Sequence, residues 1–384
     1  MKDSAIAGSV DKTSSSSGVE PIKPPSLNSG GSGSHGLAKR VMKMGVLFVG
    51  FTVFWILLYN SASPFGFPVI SHYLTAAMPA ATKLGEKNDQ KLDSVLRNAS
   101  MANKTVIITT LNDAWAEPGS IFDLFLQSFQ IGKKTKELLK HLVVVTWDQK
   151  AYDRCTTLHP HCYLLETNDN FTSEAFFMTP HYLKMMWKRI KFLGSVLEMG
   201  YSFVFTDTDI MWLRNPFGRF HKDADFQIAC DNFRGNPKDM KNMPNGGFTY
   251  VKSNDRTIWF YQFWYNSRTL YPKLHDQDVL NKIKWNPFIS NMKLQIRFLD
   301  TAYFGGFCQP SKNLDLVCTM HANCCVGLEN KINDLKILLD DWKKYKALPN
   351  QHQNTTTTTT TNSPPHWTVP QRCSTSFERA RIKE

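Results

Sequence analysis

The sequence contains no run of five or more lysines or arginines, although 45 Lys+Arg stand against 33 Asp+Glu for a formal charge of +12. The basic residues are interleaved with apolar and acidic ones, so nucleic acid is not an expected partner. An anionic small substrate or an acidic polysaccharide accounts for the same charge. The eight cysteines nowhere form C-x-x-C pairs, which argues against a zinc site and for disulfides formed in an oxidising compartment. Cys155 and Cys162 flank a His-Pro-His turn at 159–161, a spacing that suits a short local disulfide. Cys230, Cys308, Cys318, Cys324 and Cys325 are odd in number, so at least one stays reduced or pairs with Cys373.

Residues 1–38 lack the apolar groups a core needs and are rich in Ser, Gly and Pro. From Met44 to Tyr59 the chain lacks charge altogether, and Lys39, Arg40 and Lys43 precede it. That asymmetry predicts a membrane helix at 44–60 with a disordered cytosolic tail at 1–43 and everything later in the lumen, in a Golgi-type arrangement. Residues 61–103 read as a stem, with N-x-S/T sequons at Asn98 and Asn103 and two more at Asn170 and Asn354. A threonine run closed by prolines marks 347–384 as a disordered tail, which leaves 104–346 as one catalytic domain.

Within 104–346 the pattern alternates. Thr105–Leu111, Leu142–Trp147 and Tyr201–Thr206 are short β-branched or aromatic runs that predict buried parallel strands. Ser120–Gly132 and Pro180–Gly200 between them carry helical periodicity, the second through Met185, Ile190, Leu193 and Leu197. The expected fold is an α/β, doubly wound, mostly parallel sheet, which binds ligands beyond the carboxyl ends of its strands.

Directly after the third strand comes Asp207-Thr208-Asp209. In an extended segment both carboxylates share a face, and two hard oxygen ligands there suit Mn²⁺ or Mg²⁺ held against a diphosphate. Apolar flanks raise the cost of two unpaired acids and so favour a cation. Asp223 and Asp225 follow Arg219, His221 and Lys222 and read as a solvated turn. Asp276-Gln277-Asp278 opens an apolar helix, where acids are also simple caps. Asn245-Gly246-Gly247-Phe248, ahead of a strand at 249–251, lets backbone approach a ligand closely. His321, ahead of Gly327 and Lys331, is a candidate third metal ligand, and Lys331 a phosphate contact.

Taken together, TTLNDAWAEPGS, FTDTDIMWLRNPF, NGGF, HDQDVLN, FLDTAYFGGFC and CTMHANCCVGL resemble the plant nucleotide-diphospho-sugar transferase family, over residues 104–345. Its relatives include the rhamnogalacturonan xylosyltransferases and the extensin arabinosyltransferases. The order of motifs is also similar to that of glycogenin-like retaining transferases. The resemblance implies a GT-A fold and a single-pass membrane enzyme that takes a UDP-sugar donor and a glycan or glycoprotein acceptor. It further implies Asp207, Asp209 and His321 for metal, and Lys331 for the diphosphate. Thr110, Asn112, Asn245, Gly246 and Gly247 fall to the nucleotide, and Asp276, Gln277 and Asp278 to the donor sugar and the chemistry. The spacing from His321 to Lys331 is longer than in the glycogenin group. A lectin-like or scaffolding protein that keeps the fold is the reading from another class.

Overall fold

The computed structural model describes residues 81–167, 169, 171–172, 178–348 and 366–381. The predicted membrane segment, Asn170, Asn354 and the threonine run lie outside them. No helix among the described residues is long and apolar enough to cross a membrane. The chain divides into units Met1–Ala77 and Met78–Glu384, and the described residues all belong to the second.

Helix α1 (Ala81–Ala99) leads into β1 (Thr105–Leu111), the short α2 (Asp113–Ala116), α3 (Ile121–Ile131), β2 (Leu142–Thr146), α4 (Gln149–Leu158) and β3 (Cys162–Leu164). Then follow α5 (Pro180–Glu198), β4 (Ser202–Thr206), β5 (Ile210–Trp212), β6 (Phe226–Asn232), β7 (Met243–Val251) and α6 (Asp255–Ser267). The rest is α7 (Asp276–Ile283), α8 (Pro287–Asn291), β8 (Ile296–Phe298), β9 (Phe304–Gly306), β10 (Thr319–His321), α9 (Leu328–Ala347) and α10 (Arg372–Arg381).

Seven strands form one sheet in the order β3-β2-β1-β4-β7-β6-β8, parallel except for β7, which runs against both neighbours. Alternate residues of β1 feed opposite cores: Ile107 and Leu111 pack with Phe122, Phe125 and Trp342, whereas Val106 and Ile108 pack with Ile190, Leu193 and Phe203. Burial on both faces is why these strands read as continuous apolar runs instead of alternating ones. Each large side chain so buried contributes about 1.5–3 kcal/mol. The fold expectation of an α/β, mostly parallel sheet is met.

Helix α5 begins where Thr179 accepts a bond from the Tyr182 amide and Pro180 fills the first turn, and it stops before Gly200 at φ 83°. Its buried stripe runs through Met186, Ile190, Leu193 and Leu197 and includes Arg189. Met185, expected in that stripe, instead faces the cleft described below.

Three boundaries shift. Leu92, Leu96 and Ala99 are core residues, so α1 belongs to the folded unit and not to a stem. At the other end Val369 and Cys373 are buried, so part of the expected tail is packed structure. Asn245–Phe248, expected ahead of the strand, lies inside β7, which shifts register against β6 there. The cysteines resolve as Cys155–Cys162, Cys308–Cys324 and Cys325–Cys373, with Cys230 and Cys318 free and buried. Asp223 and Asp225 also part company: Asp223 is exposed, but Asp225 is buried and held by Nε and Nη2 of Arg256, Asn254 and the Gln295 amide.

Candidate metal and nucleotide-sugar site

Beyond the carboxyl end of β4 the backbone turns, the Ile210 amide donating to Asp207 O at 3.2 Å. Asp207 and Asp209 therefore sit on a turn and not on the extended segment expected, yet their carboxylates still converge. The Asp207 amide is fixed on Gly247 O of β7 at 2.8 Å. In a second, three-stranded sheet, β5 pairs antiparallel with β10, which sets His321 opposite Ile210. This register brings together residues more than a hundred positions apart. Ligand atoms of Asp207, Asp209 and His321 all lie within 4.8 Å of one another.

Two cations flank the acids. Lys331, in the first turn of α9, puts its Nζ 2.5 Å from Asp209 Oδ2. Arg189 donates through Nη1 to Asp207 Oδ1 at 2.9 Å and through Nη2 to Asp276 Oδ2 at 2.7 Å. Burial works against the charge on Asp209, but the Lys331 ammonium and His321 outweigh it and hold that carboxyl well below the usual range. Burial dominates at Asp207, aided by the Asp209 charge, and raises its carboxyl despite Arg189. Asp276, also buried, is held down to about 2 by Arg189 and His275. Arg189 is the residue that sequence reading misses, since nothing local separates a charge inside an amphipathic helix from one on its solvated face.

The sugar-side candidates separate. His275 caps α7 by accepting from the Gln277 amide at 3.2 Å. The Gln277 carboxamide is fixed at both ends: Oε1 accepts from the Gly246 amide at 2.9 Å and Nε2 donates to Asp231 Oδ2 at 2.9 Å. Asp231, a second residue not singled out from sequence, also accepts from Asn245 Nδ2 at 2.8 Å and Asn323 Nδ2 at 2.7 Å. Asp278 does not line the cleft; its side chain is 41% exposed and lies 3.3 Å from His275 Nε2. Helical geometry explains this, because residues i and i+2 do not share a helix face. Thr110 and Asn112 do line the cleft, and Asn112 is braced between the Phe171 carbonyl and the Trp115 amide.

The two glycines of the Asn-Gly-Gly-Phe segment differ. A Cβ on Gly246 would meet nothing closer than 3.6 Å, whereas one on Gly247 would stand 2.6 Å from both Asp207 Oδ2 and His321 Cε1. Gly247→Ala is expected to lower Mn²⁺ affinity at least ~10-fold by spreading the ligand set, with Gly246→Ala within about twofold of the parent. Calorimetric Mn²⁺ titration of both variants checks this, and equal affinities would refute it.

The cleft measures about 370 Å³ and includes the predicted residues except Asp278, a size in the range of small-molecule sites. The three-residue set fits a divalent ion on two counts. Asp209 Oδ1 is buried without a hydrogen bond, although His321 Nε2 is 3.1 Å away. Two carboxylates and an imidazole suit a hard-to-borderline cation, and ligands on opposite sides of an ion bound at roughly 2.3 Å stand about 4.6 Å apart.

Comparison with known proteins places the chain in a family. The profile of the nucleotide-diphospho-sugar transferase family matches residues 137–335. "Uncharacterized protein At4g15970" of Arabidopsis thaliana is 56% identical over 258 residues, covering 67% of this chain and 68% of that protein. "Uncharacterized protein At1g28695" of the same plant is 39% identical over 75% of this chain and 84% of its own length. "Arabinosyltransferase RRA2", also of Arabidopsis thaliana, is 29% identical over 25% of this chain and 22% of its own. With a mostly parallel α/β sheet, a cleft at its carboxyl edge and this extent of match, the chain belongs to the nucleotide-diphospho-sugar transferase family of glycosyltransferases.

Proposed function

We propose that this protein transfers a sugar from a UDP-sugar to a cell-wall polysaccharide or glycoprotein glycan, with metal assistance and retention of anomeric configuration. The observation that carries this reading is the convergence of Asp207, Asp209 and His321 beside Lys331 in one cleft. Asp207, Asp209 and His321 would hold Mn²⁺ or Mg²⁺, which supplies charge neutralisation for a departing diphosphate. Lys331 donates to a phosphate oxygen from the same side. Arg189 keeps Asp207 and Asp276 in fixed relation, so that the diphosphate-side and sugar-side elements do not drift apart.

Retention requires either two displacements or attack from the leaving-group face. Asp278, the carboxylate that would serve as a nucleophile from sequence, is turned to His275 and away from the cleft. Asp231 lines the cleft but is gripped by three side-chain amides. Same-face attack is therefore the preferred route. The C1–O bond to phosphate breaks with its electron pair going to the diphosphate, the acceptor oxygen bonds to C1, and its proton passes to a donor phosphate oxygen. The Gln277 carboxamide orients Asp231 beside the developing positive charge, so Gln277→Ala is expected to lower kcat by ~10- to 100-fold while donor KM changes little. Steady-state kinetics at saturating donor check this, and a variant with full kcat would remove Gln277 from the mechanism.

Screening the purified protein for Mn²⁺-dependent hydrolysis across a panel of UDP-sugars, with NMR of the product anomer, tests the function as a whole. Turnover undiminished in EDTA, or an inverted product, would overturn it. Three disulfides support an oxidising lumen, and we extend the proposal to a Golgi type II membrane protein anchored at 44–60. Protease added to sealed microsomes then removes only the N-terminal tail; digestion beyond Lys104 would defeat that topology.

A further inference from the structure

Residues 366–381 lie beyond the 137–335 stretch that matches the family, yet they reach the cleft. They run along α9 on a set of specific contacts. Asp341 accepts from the Thr368 amide and hydroxyl, both at 2.8 Å, and Trp367 Nε1 donates to Ser311 O at 2.9 Å. Asp334, fully buried one turn beyond Lys331 on α9, accepts from three successive amides, Gln371 at 2.7 Å, Arg372 at 3.1 Å and Cys373 at 2.9 Å. A buried carboxylate on the first amides of α10 fixes where that helix starts. The Cys325–Cys373 disulfide and a bond from the Val326 amide to Ser376 Oγ at 3.1 Å then tie α10 to the loop that enters Lys331. One turn beyond Cys373, Phe377 is half-buried and lines the cleft together with Val326 and Gly327.

We infer that Phe377 is a wall of the nucleotide end of the cleft and sets how tightly the donor nucleotide is held, with the Cys325–Cys373 bond keeping it there. The inference rests on the nucleotide-sugar reading above. Val326 and Gly327 lead straight into Lys331, whose ammonium pairs with Asp209 and lies 5.5 Å from the Trp115 ring. Phe377 thus borders the diphosphate-binding side, where an aromatic face suits a planar base or shields the diphosphate from water. Three separate anchors on one short segment, the disulfide, Asp334 and Asp341, hold this ring in position.

The test is UDP titration of the whole protein with Mn²⁺ present, comparing the parent, Phe377→Ala, Phe377→Trp, the double variant Cys325→Ala/Cys373→Ala, and that double variant combined with Phe377→Ala. Loss of a base–aromatic contact weakens binding by roughly 5- to 100-fold, so Phe377→Ala is expected to raise Kd about tenfold with an unchanged melting temperature, and Phe377→Trp to restore it. The cysteine double variant is expected to raise Kd similarly, and adding Phe377→Ala to cost little more, because both changes remove one contact. Parent-like Kd in Phe377→Ala, or full additivity with the cysteine pair, overturns the inference. Asp209→Asn separates the two levels: if the parent binds UDP and Asp209→Asn does not, while Phe377→Ala matches the parent, only this inference fails. If the parent itself does not bind UDP with Mn²⁺, the functional reading fails first.

Discussion

Replacing Arg189 with methionine is expected to abolish transfer and to destabilise the fold by about 3–5 kcal/mol, the cost of stranding buried charge. Its guanidinium lies over the Phe205 ring, 4.8 Å from the centroid, and bonds Asp207 and Asp276 from opposite nitrogens. The side chain is only 5% exposed and that of Asp276 only 2%, so water cannot replace the lost partner at Asp276. Burial opposes the Arg189 charge, and the two carboxylates more than restore it. Methionine fills similar volume, so the loss is electrostatic and not a packing cavity. Lysine is not expected to rescue, because one ammonium cannot span two carboxylates as a planar fork does. Asp276→Asn in the Arg189→Met background is expected to recover part of the stability but none of the activity. Urea unfolding and turnover of the three variants check this; a stable, active Arg189→Met protein would show that neither carboxylate needs the guanidinium.

Asp209→Asn is expected to reduce Mn²⁺-dependent UDP affinity by at least ~100-fold, since an amide oxygen is a far weaker ligand for a divalent ion than a carboxylate. The same change should lower the metal-free stability, by on the order of 1–3 kcal/mol, because Lys331 Nζ then loses its charged partner. The sequence alone points to the opposite sign: two acids at i and i+2 among apolar neighbours repel, and neutralising one ought to relieve the fold. Lys331 reverses that expectation, with Nζ against Asp209 Oδ2 at 2.5 Å. Thermal melts in EDTA and calorimetric UDP titration with Mn²⁺ measure the two effects separately. Unchanged UDP affinity would end the metal assignment, and a raised melting temperature would mean that Lys331 does not depend on Asp209.

Much of this was readable from local pattern. Thr105–Leu111 is a strand over the predicted span, and Leu142–Thr146 and Ser202–Thr206 fall within theirs, because burial on both faces demands unbroken apolar runs. Asp207 and Asp209 were nameable because two acids directly follow a strand with apolar flanks, and His321 because of its place in the order of motifs ahead of Gly327 and Lys331; ligand atoms of the three lie within 4.8 Å of one another. Asp278, grouped with Asp276 and Gln277 from sequence, falls outside the cleft because it stands two residues beyond Asp276 on a helix, where i and i+2 do not share a face.

What the sequence by itself determined is what depends on neighbours along the chain: strand and helix periodicity, a pair of carboxylates directly after the third strand, and the odd count of Cys230, Cys308, Cys318, Cys324 and Cys325, which leaves at least one to pair with Cys373 or stay reduced. What only the tertiary structure decided depends on partners far apart in the chain. Arg189 reaches Asp276 across 87 positions, Lys331 reaches Asp209 across 122, and Asp231 collects Asn245, Gln277 and Asn323 from β7, α7 and the segment after β10. No periodicity records such pairings, because a buried charge looks identical in sequence to a solvated one until the fold supplies its counter-charge.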